Sequence, residues 1–422
     1  MKAEIISIGD ELLIGQVVNT NASWMAVELN KSGIHVVKIT AISDLGNDIK
    51  DAIANAEKNS DIILLTGGLG PTKDDITKHV LADYYNSKMV FHEPTYKQVK
   101  SIFALRKFKV TDVNKKQAEI PEACIPLTNQ HGTAPGMWFE MNGKVLVSLP
   151  GVPFEMKSLL KDEVIPRLQK TFKLKHIYHK TIMTTGIGES MLAEKVEDWE
   201  NNLPKNIKLA YLPQPGIVRL RLSAVGNNKT ELEDEVKKHC NKLNNIIADI
   251  IFGYDDISLE EVVGKQLMLA NRTLSTAESC TGGYIAHLIT SISGSSSYFK
   301  GAVVSYSNSV KENQLGVNSK ILEKDGAVSR EVIEQMALGG KKQLNADYCL
   351  ATSGIAGPDG GTKDKPVGTI WIALATPSGV QSKLFHFGEH RGRNIRKAAL
   401  AALNMLRTEL VRITPTKNKK NY

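Results

Sequence analysis

The sequence predicts an α/β protein in three parts, and three observations predict it. Residues 1–172 alternate apolar strand runs with helical runs, the rhythm of a parallel sheet with helices on both faces. Residues 173–253 instead carry two strands around Pro213-Gln-Pro-Gly216 between helical stretches, a small α+β unit. From residue 254 to 415 the alternation returns, and 416–422 form a basic tail. A chain of 422 residues accommodates about three cores at roughly 150 residues each.

The elements follow in order. Glu4 to Ile8 reads as a strand, Asn21 to Leu29 as a helix and Ile34 to Ile39 as a strand. Asn47 to Lys58 reads as a helix and Asp61 to Thr66 as a buried strand. The middle part gives a strand from Ile177 to Thr184 and a helix to about Trp199. Two strands, Ile207–Leu212 and Ile217–Ala224, and a helix from Thr230 to Ile247 complete a βαββα unit. In the last part, strands are expected near Leu274, at Ala302–Tyr306, at Tyr348–Ser353 and at Thr369–Ala375. A closing helix is expected from Asn394 to about Val411. In such sheets the ligand crevice lies at the carboxyl ends of the strands.

Composition narrows the class. Hydrophobic residues make up 42% and charged residues 23%, as in ordinary globular proteins. No apolar run reaches the ~18 residues of a membrane span, and no signal-peptide pattern opens the chain. Four scattered cysteines without a CxxC pair fit a reducing, cytoplasmic setting. The net charge of +8 suits anionic ligands. Nucleic acid is not expected as a partner, because arginine clusters with interleaved aromatics are missing and aromatics are only 6%.

The most informative stretch is Ser275-Thr-Ala-Glu-Ser-Cys-Thr-Gly-Gly283. It places Ser279 between a strand end and a helix N-terminus, whose outward amides would stabilise an oxyanion or phosphate. Lys311, one strand later, is the candidate base, since burial disfavours a lysine's charge. Cys280 is the rival nucleophile, and a solvated Lys311 the alternative for that residue. His287 is expected to pack or to lie at the surface. A glycine loop, Ser353-Gly-Ile-Ala-Gly-Pro-Asp-Gly-Gly361, offers close backbone approach. Arg391, Arg393 and Arg396 open the last helix as candidate phosphate contacts.

These motifs, with Tyr306-Ser-Asn308, Gly326-Ala-Val-Ser329 and Lys365-Pro-Val-Gly-Thr369, closely resemble the CinA C-terminal family. That family includes stand-alone nicotinamide mononucleotide (NMN) amidohydrolases. The resemblance implies hydrolysis of NMN to nicotinate mononucleotide and ammonia, without a cofactor. It puts the catalytic serine at Ser279 and the lysine at Lys311, with Tyr306 beside them. It implies substrate contacts at Glu278, Cys280, Thr281, Gly282, Gly283, Asn308, Ser353, Gly354, Ile355, Ala356, Gly357 and Arg391.

Near the N-terminus, Thr66-Gly-Gly-Leu-Gly70 has the form of a phosphate-cradling turn after a buried strand, although it lacks a Walker ending. Gly67, Gly68, Gly70, Thr72 and Asp75 are the candidate nucleotide contacts. Asp74 and Asp75 open a helix, where N-terminal capping is the competing role. Asp10 and Glu11 end another strand; with Asp74 and Asp75 they could hold a divalent cation such as Mg²⁺ beside a diphosphate. Together with Leu149-Pro-Gly-Val-Pro153 these segments resemble the MogA/MoaB-like molybdopterin-binding fold, a three-layer α/β domain, in its CinA N-terminal version. The resemblance implies a metal-dependent ADP-ribose pyrophosphatase with Asp75 at its site. The middle unit is similar to the KH-like linker of CinA proteins. It shows Gly186-Ile-Gly188 in place of GxxG, so packing or homodimerisation is its expected role. Two other readings remain: a deamidase whose N-domain only binds a nucleotide or pterin, and a non-enzymatic accessory factor in DNA uptake or damage response.

Overall fold

The computed structural model describes residues 1–72, 75–105 and 107–413. The basic tail at 416–422 lies outside the described residues. The chain divides into two compact units. One comprises Met1–Tyr178 with Ala224–Glu233; the other comprises His179–Ser223 with the chain from Asp234 onward.

In the first unit the strands are β1 (Lys2–Ile8), β2 (His35–Ile42), β3 (Ile62–Thr66), β4 (Met89–Phe91), β5 (Glu119–Pro121), β6 (Ile125–Leu127), β7 (Gly136–Met141) and β8 (Lys144–Leu149). Six form one sheet in the order β2-β1-β3-β8-β7-β6, and β4 pairs with β5 separately. The first four run parallel, as the alternation predicts, while β7 and β6 are antiparallel. Side chains alternate across a strand, so Ile5, Leu64 and Val147 enter one core and Ile6, Leu65 and Leu146 the other. Helices Thr20–Lys31 and Pro153–Leu159 cover the first face; Gly46–Asn59 and Thr77–Tyr84 cover the second. That is a three-layer α/β unit. At the strand ends, Gly67 N–H donates to Leu149 O at 3.1 Å and Thr66 Oγ1 donates to Pro150 O at 3.0 Å, which brings the glycine turn beside the Pro150–Pro153 segment.

A middle sheet, most of whose residues belong to the second unit, holds β9 (His176–Thr185), β10 (Ile207–Gln214), β11 (Ile217–Gly226) and β12 (Ile251–Tyr254), ordered β10-β11-β9-β12. The βαββα reading omits β12. This four-residue strand has too little periodicity to be seen locally and forms by antiparallel pairing with β9.

A second sheet holds β13 (Leu274–Glu278), β14 (Phe299–Val304), β15 (Tyr348–Gly354), β16 (Thr369–Thr376) and β17 (Gly379–His386), in the order β14-β13-β15-β16-β17. The sequence reading omits β17, a polar edge strand in hairpin with β16. Helix Arg330–Gln343 packs Val332, Ile333 and Met336 on one face. Its approach is close: a Cβ at Gly340 would lie 2.8 Å from Cys349 Sγ and 3.1 Å from Ala277 Cβ. Helices Leu259–Ala270 and Arg391–Ile413 cover the other face through Leu267, Leu403, Leu406 and Leu410. β13 is an interior strand, parallel to both neighbours, with Glu278 level with Val304 and Thr352. The residues just beyond these three strand ends therefore share one rim. Among the described residues no helix is long and apolar enough to cross a membrane.

Candidate active site

Ser279 is the first residue past β13. Its N–H donates to Thr352 O at 2.9 Å, so the backbone of β15 fixes its position. Lys311 lies on helix Asn308–Leu315, which Ser307 caps by accepting from Val310 N–H. Lys311 Nζ is 3.1 Å from Ser279 Oγ. Ser279 is 9% exposed and Lys311 1%. Nζ also donates to Ser305 O at 2.7 Å and to Tyr306 O at 3.3 Å. Burial lowers the Lys311 pKa below the ordinary lysine value, and only a weaker effect of Cys280 opposes it. A neutral amine has two N–H bonds and one lone pair. With the two carbonyls taking the N–H bonds, the lone pair is left for the Ser279 hydroxyl. The solvated-lysine alternative does not hold.

The helix N-terminus differs from expectation. Its amides are not free, because Glu278 takes them. Glu278 is fully buried. Its Oε2 accepts from Gly283 N–H (3.0 Å), Ile285 N–H (3.0 Å) and Thr281 Oγ1 (2.7 Å). Its Oε1 accepts from Ala286 N–H (2.9 Å) and Thr276 Oγ1 (3.1 Å). Glu278 is therefore corrected from a substrate contact to an internal cap that ties strand to helix. Gly282 N–H closes a turn on Ser279 O at 3.1 Å, and Gly282 and Gly283 hold left-handed φ values of +62° and +94°. Among the described residues the N–H groups of Cys280 and Thr281 meet no acceptor. They are the amides left for an oxyanion.

Cys280 is not the nucleophile. It belongs to the hydrophobic core, and burial pushes its thiol up to about 12, far from a thiolate. Three further side chains are corrected as substrate contacts. The Cys280 side chain faces the core. The Thr281 hydroxyl lies between Glu278 and Thr352 Oγ1, 2.7 Å from each. Ser353 Oγ donates to Ala327 O at 2.6 Å. Gly354 ends β15, Ile355 N–H donates to Thr369 O at 2.9 Å, and Ala356 O accepts from Asn394 Nδ2 at 3.0 Å. Asn308 is exposed at the start of the lysine helix. Arg391 donates to Gly357 O at 2.8 Å and to Tyr306 OH at 3.1 Å. Tyr306 is 62% exposed. Its carbonyl, not its phenol, meets Lys311. His287 is exposed on its helix, as expected. Ser305 escaped the sequence reading, because it holds Lys311 through its backbone carbonyl and no side-chain pattern signals that.

In the first unit, Gly67 and Gly68 have φ of +117° and +66°, and among the described residues the N–H groups of Gly68, Leu69 and Gly70 meet no acceptor. Thr77 pins the turn, donating through Oγ1 to Gly67 O and through N–H to Gly68 O, both at 3.1 Å. The Asp75 carboxylate accepts from Thr72 N–H at 2.9 Å and from the Thr72 hydroxyl, and it lies against Gly70. It does not cap the helix, which starts at Thr77 after Ile76 without a side-chain cap. Among the described residues the metal set is not assembled. Asp10 N–H donates to Asp44 Oδ2 at 3.3 Å, Glu11 folds its carboxylate over Gly9, and Asp74 lies outside the described residues. Among the described residues no three His, Cys, Asp or Glu side chains gather to hold a metal.

Comparison with known proteins follows the same three parts. Residues 4–170 match a family described as a probable molybdopterin binding domain, 179–253 the damage-inducible protein CinA KH domain, and 256–410 the CinA C-terminal domain. A CinA-like protein of Flavobacterium psychrophilum is 47% identical over 414 residues, covering 98% of this chain and 99% of the relative. One of Cytophaga hutchinsonii is 46% identical over 408 residues, covering 97% and 98%. The crystal structure of competence/damage inducible protein CihA from Agrobacterium tumefaciens is 37% identical, covers 36% of this chain and 93% of its own, and has a TM-score of 0.35. With near-complete coverage at such identity, the chain belongs to the CinA family.

Proposed function

We propose that the chain hydrolyses the carboxamide of nicotinamide mononucleotide to the carboxylate and ammonia. The observation that carries this reading is the buried Ser279–Lys311 pair, 3.1 Å apart, whose lysine has no carboxylate partner among the described residues. Lys311 Nζ accepts the Ser279 proton as Oγ bonds to the carboxamide carbon. The negative charge collects on the carboxamide oxygen, where the Cys280 and Thr281 N–H groups receive it; one such donor is worth roughly 3 kcal/mol elsewhere. The tetrahedral centre collapses, the C–N bond breaks, and the Lys311 ammonium protonates the departing nitrogen. Water then gives a proton to Lys311 and attacks the acyl ester. Returning that proton to Oγ frees the acid. The mononucleotide as substrate rests on the family resemblance, with Arg391 at the rim as the cation nearest a phosphate.

Ammonia release from NMN by Ser279→Ala and by the unchanged chain tests the reading. The variant should lose at least ~10³-fold in kcat/KM and keep its melting temperature. Substantial residual turnover would falsify it.

The first unit supports a second reading, cleavage of ADP-ribose. The free amides of Gly68 to Gly70 suit a diphosphate, and Asp75 sits beside them. The metal dependence of that reaction is carried by resemblance alone.

A further inference from the structure

A groove of about 1690 Å³ opens in the second unit, away from the serine. Its walls are the β17 edge, the last helix and two loops of the middle sheet, Gly186–Gly188 and Pro213–Gly216. Ser279, Lys311, Tyr306 and Arg391 do not line it. It exceeds the ~300–1,000 Å³ of usual small-ligand pockets.

Its chemistry is uneven. Phe385 on β17 and Phe387 just past its end stack with centroids 5.5 Å apart and planes 19° apart. Lys383 Nζ lies 5.2 Å from the Phe385 ring centre and Lys397 Nζ 6.0 Å from that of Phe387. Arg393 lines the same wall, so the structure separates it from Arg391, with which the sequence groups it. Among the described residues these three cations form no ion pair. Two carboxylates reach the groove, and one of them, Glu409, is held by Arg412 at 2.8 Å. The groove therefore pairs an aromatic platform with unneutralised positive charge. An apolar peptide would bury those cations unpaired, at a cost. A duplex offers no unstacked base to the rings.

We propose that this groove binds single-stranded nucleic acid, with bases stacked on the Phe385–Phe387 platform and phosphates met by Lys383, Arg393 and Lys397. The sequence reading sets nucleic acid aside because no cluster of cations and aromatics is visible. The cluster exists only once β17 lies beside the last helix.

Fluorescence anisotropy tests this with the full chain, a labelled ~15-nucleotide thymidine strand of single-stranded site size, the matching duplex, and uridine monophosphate as competitor. The single strand should bind, more weakly as salt rises. Lys383→Glu with Lys397→Glu should weaken binding at least ~tenfold and lower the salt slope by about 1.4, two phosphate contacts' worth. Phe387→Leu, which keeps an apolar side chain against the core, should weaken it by about tenfold. Ammonia release from NMN should be unchanged in all three, which shows the fold intact and separates this groove from the serine site. The proposal is overturned by no binding at low salt or by equal affinity for duplex. It is equally overturned by affinities that ignore the substitutions, or by displacement with the mononucleotide at the concentration of the strand.

Discussion

At the scale of the residue, the decisive fact is a buried lysine without a counter-ion among the described residues. Two backbone carbonyls hold Lys311 and no described carboxylate pairs with it, so desolvation outweighs the opposing effect of Cys280. The sign of the pH dependence follows. Only the neutral amine accepts the Ser279 proton, so kcat/KM should rise with pH and level off above the lowered Lys311 pKa. On the acid side it should fall about tenfold per pH unit. A pH–rate profile checks this, and an acid limb set at the ordinary lysine value of 10.5 would contradict a depressed base. Arginine at this position cannot give up its proton at these pH values. Lys311→Arg should therefore be as inactive as Ser279→Ala in the ammonia assay, despite its similar length.

At the scale of the element, Glu278 joins β13 to the helix that follows. Five donors converge on one buried carboxylate. Three are helix N-terminal amides that would otherwise be orphaned. Hydrogen bonds to a charged group contribute about 1.5–3 kcal/mol each, with strong overlap within one network. Glu278→Ala should destabilise the chain by roughly 3 kcal/mol or more, with Glu278→Gln intermediate, because its amide turns a donor toward donors. Urea unfolding measures both, and an Ala variant within ~0.5 kcal/mol of the parent would remove Glu278 from this role. The sequence showed the strand, the turn and the helix. It did not show where the carboxylate points, since position 278 is equally compatible with facing substrate.

At the scale of the whole molecule, the two proposed sites belong to separate compact units, each with its own core. Independent cores predict independent losses. Asp75→Asn should abolish AMP release from ADP-ribose with added Mg²⁺ and leave NMN deamidation intact; Ser279→Ala should do the reverse. Thin-layer separation of nucleotides and an ammonia assay read the two. Loss of both activities in either variant would mean that the replaced residue supports the fold and not one reaction.

The sequence by itself determined the strand–helix rhythm of three parts, the placing of Ser279 at a strand end, and the glycine turns at Gly67 and Gly282. All of these are local: periodicity, turn chemistry and positive φ are written in neighbouring residues. Tertiary structure alone decided that Lys311 is buried against Ser279, that Glu278 faces inward, that Asp75 binds Thr72 rather than capping its helix, and that Arg393 parts from Arg391. Each of those depends on which surface a side chain meets after packing. Burial and partner choice are set by segments far apart in the chain, and no local pattern encodes them.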